Sequence, residues 1–277
     1  LLIKLKKYEE ALAAFDKTLA IIPSSSAVWT NKGLAFYKLK KFNEALTAYD
    51  WATALDQNNT IAFYGKAESA KNLGKFDIAL QALDKALNKA PNSQIWTSKG
   101  SIFNRLKRYD EALKAYDKAI ELDTNNFIAL NGRAETLKNL ERYDDALLAL
   151  DEVLAIFPNS PSIWTNRGLI FIELNKYGEA SRAFDKALEL GANDNHTFYG
   201  KGEAAKNLGR YNDALFAYDR AIEIDPNSST IWTAKGSTLY KLKMYEESLE
   251  AYDMAIKLNP NNLNAISGRN EAARHII

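Results

Sequence analysis

The residues that could do chemistry are few, and they do not converge. His196 and His275 are the only imidazoles in 277 residues, and cysteine is absent. Neither histidine has a second ligating residue at useful spacing, so a zinc-type site is not expected. The glycines are dispersed, and neither GxxxxGK[ST] nor GxGxxG occurs, which removes the loops that cradle phosphates. Serines gather in "PSSS" and "PNSST", where hydroxyls suit helix capping better than nucleophilic attack. Carboxylates stand in starts such as "YDEAL", where negative charge complements a helix N-terminus. The expectation is a non-catalytic chain with no cofactor and no metal.

Recognition chemistry, by contrast, recurs. Asn72, Asn139 and Asn207 return in register, each shortly after a Glu and a Lys, and two of them follow a tyrosine. A side-chain amide both donates and accepts, so a row of them can read a peptide backbone. Tyrosine adds amphipathic contact area at modest entropic cost. The same asparagines, in "KNLG" and similar stretches, also suit the capping of helix ends, and the two roles are compatible.

Composition narrows the partners. There are 36 basic and 35 acidic residues, a formal charge of +1. That balance argues against nucleic acid and acidic membrane surfaces, which select clustered positive charge. No apolar run approaches the ~18 residues of a membrane span. The absence of cysteine fits a reducing compartment, and a cytoplasmic setting is expected. The chain opens on "LLIKLKKYEE" without a Met, a cut through the pattern that is expected of a fragment of a longer protein.

The elements that position these residues follow from a period. Trp29, Trp96, Trp164 and Trp232 are separated by 67, 68 and 68 residues. Midway stand Phe63, Leu130 and Phe198, in "FYGKAE", "LNGRAE" and "FYGKGE". The unit is therefore about 34 residues long, and such periods mark solenoids. Seven full units are expected at 26–59, 60–92, 93–126, 127–160, 161–194, 195–228 and 229–262. A partial unit precedes them at 1–25 and a lone helix follows at 263–277, so 1–277 reads as one array. Each unit has two stretches with apolar residues at three- and four-residue steps, hence two helices. Pro23, Pro91, Pro158, Pro226 and Pro260 follow the second helices, and Gly74 and Gly209 end first helices. Gly33, Gly100, Gly168, Gly202 and Gly236 fall mid-helix, where glycine costs up to about 1 kcal/mol. Close helix contacts are expected there, with Ala45, Ala79, Ala112, Ala146, Ala180 and Ala214 as the small partners.

Trp232, Gly236, Leu239, Tyr252, Ala255 and Pro260 follow the pattern W-x2-L-G-x2-Y, A-x3-F, P, as do Trp164, Gly168, Phe171, Ala180, Phe184 and Ala187. In this the chain resembles the tetratricopeptide repeat family. The resemblance runs the whole length in phase. It implies an all-α, right-handed superhelical solenoid of antiparallel helix pairs, with first helices lining a concave groove. It also implies a scaffold that binds a protein or peptide there. The alternatives are self-association through the open ends, giving a homo-oligomer, or a recruitment arm of a larger enzyme.

One departure from the family is systematic. Where leucine usually precedes the glycine, this chain has Lys32, Lys66, Lys99, Arg133, Arg167, Lys201, Lys235 and Arg269. Second helices carry Asp16, Asp50, Asp84, Asp117, Asp151, Asp185, Asp219 and Asp253. Internal pairing of the two rows is expected, about 3–5 kcal/mol to break at a deeply buried pair. Family geometry then selects the groove lining. Its Phe/Leu units offer Tyr64, Glu68, Lys71 and Asn72; Asn131, Glu135, Lys138 and Asn139; and Tyr199, Glu203, Lys206 and Asn207. Its Trp units offer Thr30, Leu34, Tyr37 and Lys38; Thr97, Ser101, Asn104 and Arg105; Thr165, Leu169, Ile172 and Glu173; and Thr233, Ser237, Tyr240 and Lys241. Asn31 and Asn166 lie one position off. Six bases against four acids make this lining about +2. The lysine/asparagine clamp by which some relatives hold a chaperone's C-terminal carboxylate is not matched: its places hold Thr30 and Leu34, Tyr64 and Glu68, and so on.

Overall fold

The computed structural model describes residues 7–276, which contain sixteen α-helices and no strand. This is an all-α repeat fold, as the period requires. The chain forms two compact units, Leu1–Leu140 and Glu141–Ile277. The first holds α1 (Tyr8–Ile21), α2 (Ser26–Lys38), α3 (Phe42–Leu55), α4 (Thr60–Asn72), α5 (Phe76–Leu87), α6 (Ser93–Arg105), α7 (Tyr109–Leu122) and α8 (Phe127–Asn139). The second holds α9 (Tyr143–Ile156), α10 (Pro161–Glu173), α11 (Tyr177–Glu189), α12 (Asn195–Asn207), α13 (Tyr211–Ile224), α14 (Ser229–Lys241), α15 (Tyr245–Leu258) and α16 (Leu263–Ala273).

Local chemistry sets where the helices start and stop. Ser25, Asn59, Asn92, Asn126, Asp194 and Asn262 each accept a hydrogen bond from the N–H three residues on, capping α2, α4, α6, α8, α12 and α16. Trp29, Trp164 and Trp232 donate their indole N–H to the carbonyls of Pro23, Pro158 and Pro226 at 3.0–3.3 Å. The six-residue step from proline to tryptophan thus satisfies the one polar atom of a large apolar ring. Gly74 and Gly209 take the left-handed conformation at the turns after α4 and α12, with φ of 71° and 75°. At the corresponding turns elsewhere Lys40, Lys107, Glu141, Asn175 and Lys243 adopt φ of 56–62°, at about 1–2 kcal/mol each.

Within each unit every helix packs on the next. The even-numbered helices also touch one another, whereas among the described residues no two odd-numbered helices do. The even-numbered helices therefore line the inner side of each unit.

The mid-helix glycines lie against a ring. A Cβ at Gly33 would lie 2.9 Å from the Tyr49 ring, and one at Gly100 2.8 Å from Tyr116. Gly168 meets Phe184 at 2.8 Å and Gly236 meets Tyr252 at 2.9 Å. The same rings press on the glycines of the following repeats, Gly65, Gly132, Gly200 and Gly268. Each ring is therefore held between two first helices. The alanines expected beside the glycines are fully buried one helical turn upstream of the ring. In the intervening repeats the position of the ring holds Leu83 or Leu150, and the position of the glycine holds Ala67 or Ala134. Tyr218 replaces that leucine in the repeat 195–228, and Gly202 then stands where alanine stood. A larger ring and a smaller backbone neighbour conserve the volume of the contact.

Beside each ring runs the charge ladder. Asp16–Lys32, Asp50–Lys66, Asp84–Lys99 and Asp117–Arg133 pair in the first unit, at 2.6, 2.6, 2.5 and 3.7 Å. Asp151–Arg167, Asp185–Lys201, Asp219–Lys235 and Asp253–Arg269 pair in the second. Each joins a second helix to the next first helix. Lys32, Lys99, Arg167 and Lys235 also lie over Trp29, Trp96, Trp164 and Trp232 at 4.9–5.6 Å, which adds a cation–π attraction. The aspartates are 48–61% exposed. Deep burial is thereby ruled out, and with it the large cost of breaking one pair.

Two outcomes are expected in denaturant titrations. Gly202→Ala should destabilise by about 1–3 kcal/mol through overpacking on Tyr218. Combined with Tyr218→Leu it should cost clearly less than the two singles added; strict additivity would contradict the volume argument. Lys66→Met should cost no more than about 1 kcal/mol, with the difference shrinking in about 0.5 M salt.

Candidate functional site

The inner faces of both units carry a stripe of side chains that stacking does not consume. In the first unit α2 and α4 face each other across a depression of about 280 Å³. Leu34, Tyr37, Ile61 and Tyr64 form its walls, Tyr49 and Gly65 its floor, and Lys38, Glu68 and Gln94 its rim. In the second unit α12, α14 and α16 enclose about 370 Å³ with Tyr199, Glu203, Lys206, Thr233, Ser237, Tyr252 and Asn264 among the lining.

The walls are held from behind. Tyr37 OH accepts from Asn72 Nδ2 at 3.4 Å, and its ring meets Phe42 edge-on at 5.5 Å. Tyr64 OH lies 3.4 Å from Ser98 Oγ, and Ser98 donates to Glu68 at 2.7 Å. Glu68 in turn pairs with Lys71 at 2.7 Å, with both side chains at least four-fifths buried. Glu203 pairs with Lys206 at 2.7 Å and accepts from Tyr218 OH at 2.6 Å. Burial, reinforced by Glu203, pushes the Tyr199 phenol up to about 12. Burial also raises Tyr37 and Tyr64, so these phenols stay protonated donors across the physiological range. The site is preorganised for hydrogen bonding and apolar contact.

Residues 26–59, 64–127, 105–170, 161–194, 197–228 and 229–262 match four family models, each described as a tetratricopeptide repeat. The chain belongs to the tetratricopeptide repeat family. That family generally supplies non-catalytic interaction scaffolds. Comparison with curated proteins gave no match. Among solved structures, the tetratricopeptide fold is similar to that of a chain in the APC/C hetero-tetramer Cut9–Hcn1, with a TM-score of 0.71 and 18% identity over 96% of this chain. This chain spans about half of that one, 52%. A tetratricopeptide repeat protein from Parabacteroides merdae ATCC 43184 gives a TM-score of 0.68 and 18% identity, covering 86% of this chain and 94% of its own. YrrB gives 0.56 and 22% identity, over 68% of this chain and 97% of its own.

Against this tetratricopeptide frame the residues expected in the groove divide. Tyr37, Tyr64, Glu68 and Lys71 come together in the first unit, and Tyr199, Glu203, Lys206 and Ser237 in the second. Asn104, Arg105, Glu135, Lys138 and Lys241 lie on the ends of first helices, half-buried or exposed. Thr30, Thr97 and Thr165 are buried. Thr30, Thr97 and Thr233 each receive the side-chain N–H of a helix-capping asparagine, Asn59, Asn126 or Asn262, at 2.9 Å. Thr165 bonds Thr197 at 2.7 Å. Those hydroxyls stitch neighbouring first helices, and Thr233 also lines the second depression. Tyr240 is engaged from within the chain: His275 lies 3.2 Å from its hydroxyl and stacks on Tyr245 at 4.5 Å.

Ile61 and Ile128, 73% and 67% exposed, are absent from the expected lining. They precede Tyr64 and Asn131 by three residues, and extending the helical stripe one turn toward the N-terminus identifies them. The asparagine row is used internally. Asn72 and Asn207 donate to the carbonyls of Glu68 and Glu203 at 2.8 Å, and Asn139 donates to Asn104 Oδ1 at 3.3 Å. Asn72 and Asn207 thus bond the last turns of their own helices and Asn139 bridges neighbouring helices, while all three side chains stay exposed. Replacing Asn72, Asn139 and Asn207 together by alanine should lower stability by about 1 kcal/mol per site. Affinity of the folded protein for a groove-bound peptide should be unchanged; a large affinity loss at unchanged stability would restore the backbone-reading role.

Proposed function

We propose that the chain is a non-catalytic protein-interaction scaffold whose inner faces bind extended peptide segments. The observation that carries this reading is the paired construction of both units. Each has an inner depression walled by tyrosines and bounded by a largely buried Glu–Lys pair that is already hydrogen-bonded. Side chains fixed in advance lose little freedom on binding. Tyrosine supplies apolar area together with a hydroxyl that can reach a peptide carbonyl. The description of YrrB as a tetratricopeptide protein with an unusual peptide-binding site points the same way. Affinity is expected to be near micromolar and weakly salt-dependent, because the lining is close to charge balance.

Selection of peptides from a displayed library against the whole chain tests this. Peptides so obtained should bind at least about tenfold more weakly to the Tyr64→Ala, Tyr199→Ala double variant. Lys118→Ala, on the outer helix α7, should leave them unaffected. Undiminished binding to the double variant would overturn the inner-face assignment.

A further inference from the structure

The two depressions are built on the same frame and differ in chemistry. In the first unit the Tyr49 ring presses on Gly65; in the second Tyr252 presses on Gly268. Either ring forms part of the lining. Counting repeats places Leu34 and Ser237 at one position, and Ile61 and Asn264 at another. At the first depression both are aliphatic, and at the second both are polar. The ring-on-glycine contact is identical in kind, so stacking does not demand the aliphatic pair. Ile61 is 73% exposed on the inner face, although the equivalent position accepts asparagine.

Charge defines what lies next to an apolar occupant. Of the two charged residues at the rim, Glu68 is held by Lys71 at 2.7 Å and by Ser98 at 2.7 Å. Lys38, exposed at the end of α2, is the charge presented outward. An acidic residue beside the anchor complements it, and a basic one would be repelled.

We propose that the depression around Ile61 is a subsite for an aliphatic or aromatic side chain of an extended partner segment, with an adjacent acidic residue facing Lys38. This rests on the inner-face reading above and adds the chemistry of the segment. Leu34, Tyr37, Ile61 and Tyr64 surround the anchor, and the Tyr49 ring closes the bottom. About 280 Å³ accommodates a leucine or phenylalanine side chain. The polar counterpart in the second unit has no such preference.

Short synthetic peptide pools, random except for a fixed central pair of Leu-Asp, Leu-Lys, Ser-Asp or Ser-Lys, test the subsite by fluorescence anisotropy on the full chain. The Leu-Asp pool should bind about tenfold more tightly than Ser-Asp, the factor expected for burying one aliphatic side chain. The Leu34→Ser, Ile61→Asn double variant, which copies the second unit at those two positions, should erase that preference while keeping its helical circular dichroism. Lys38→Glu should reverse the order of Leu-Asp and Leu-Lys. Should the double variant unfold, Ser237→Leu, Asn264→Ile should instead strengthen the wild-type preference for leucine. Pools that bind, and weaken on Tyr64→Ala, without preferring leucine would refute the subsite alone. Binding by no pool at about 1 mM, or binding indifferent to every inner-face variant, would refute both the subsite and the scaffold reading.

Discussion

A ring pressed between two glycines governs the rest of this structure. Tyr49, Tyr116, Phe184 and Tyr252 each fill the gap between the first helix of their own repeat and that of the next. A methyl group on either side would overlap the ring, so the helix backbones approach to the thickness of an aromatic plane. In the alternate repeats Leu83 and Leu150 occupy the same position beside Ala67 and Ala134. Two ways of filling one gap, used in turn, account for a 68-residue period over a 34-residue unit. Tyr218 with Gly202 is the exception that fits the rule, because both members of the contact changed together.

The polar groups around that contact set register. Each Asp–Lys/Arg pair ties a second helix to the next first helix, and the cation's stem lies across an aromatic ring on its other side. Such half-exposed pairs add little stability, but a one-residue slip would separate every pair in a unit at once. Asn59, Asn126 and Asn262 work similarly. One amide caps its own helix through Oδ1 and donates through Nδ2 to the previous first helix. The caps thus link local helix formation to stacking between repeats.

Much of the fold was legible because it is written repeatedly. A tryptophan every 67 or 68 residues, prolines after second helices and paired charge rows each recur often enough to identify one another. The glycine contacts were harder, because a glycine announces close approach without naming what approaches. The ring lies in the second helix four residues beyond the buried alanine. The candidate site was half legible. Tyr37, Tyr64, Glu68 and Lys71 follow from the geometry that the family resemblance implies, whereas Thr30 and Thr97 hold equivalent places and are covered by the asparagine that caps the next first helix. Spacing along one helix cannot reveal a neighbour 29 residues away.

This division between what stacks and what faces inward explains how the lining can vary. Ring, glycine, charge pair and capping asparagine occupy the surfaces between helices, where a change in one member requires a change in another. Leu34, Ile61 and their counterparts Ser237 and Asn264 line the depressions and belong to none of those paired contacts. A substitution there alters the chemistry of one depression and leaves the ring-on-glycine contact beneath it intact. Stability in such an array is close to a sum over neighbouring repeats, so no distant repeat must compensate. Identical frames can therefore carry an aliphatic depression in one unit and a polar one in the other, and specificity for a partner is free to change repeat by repeat.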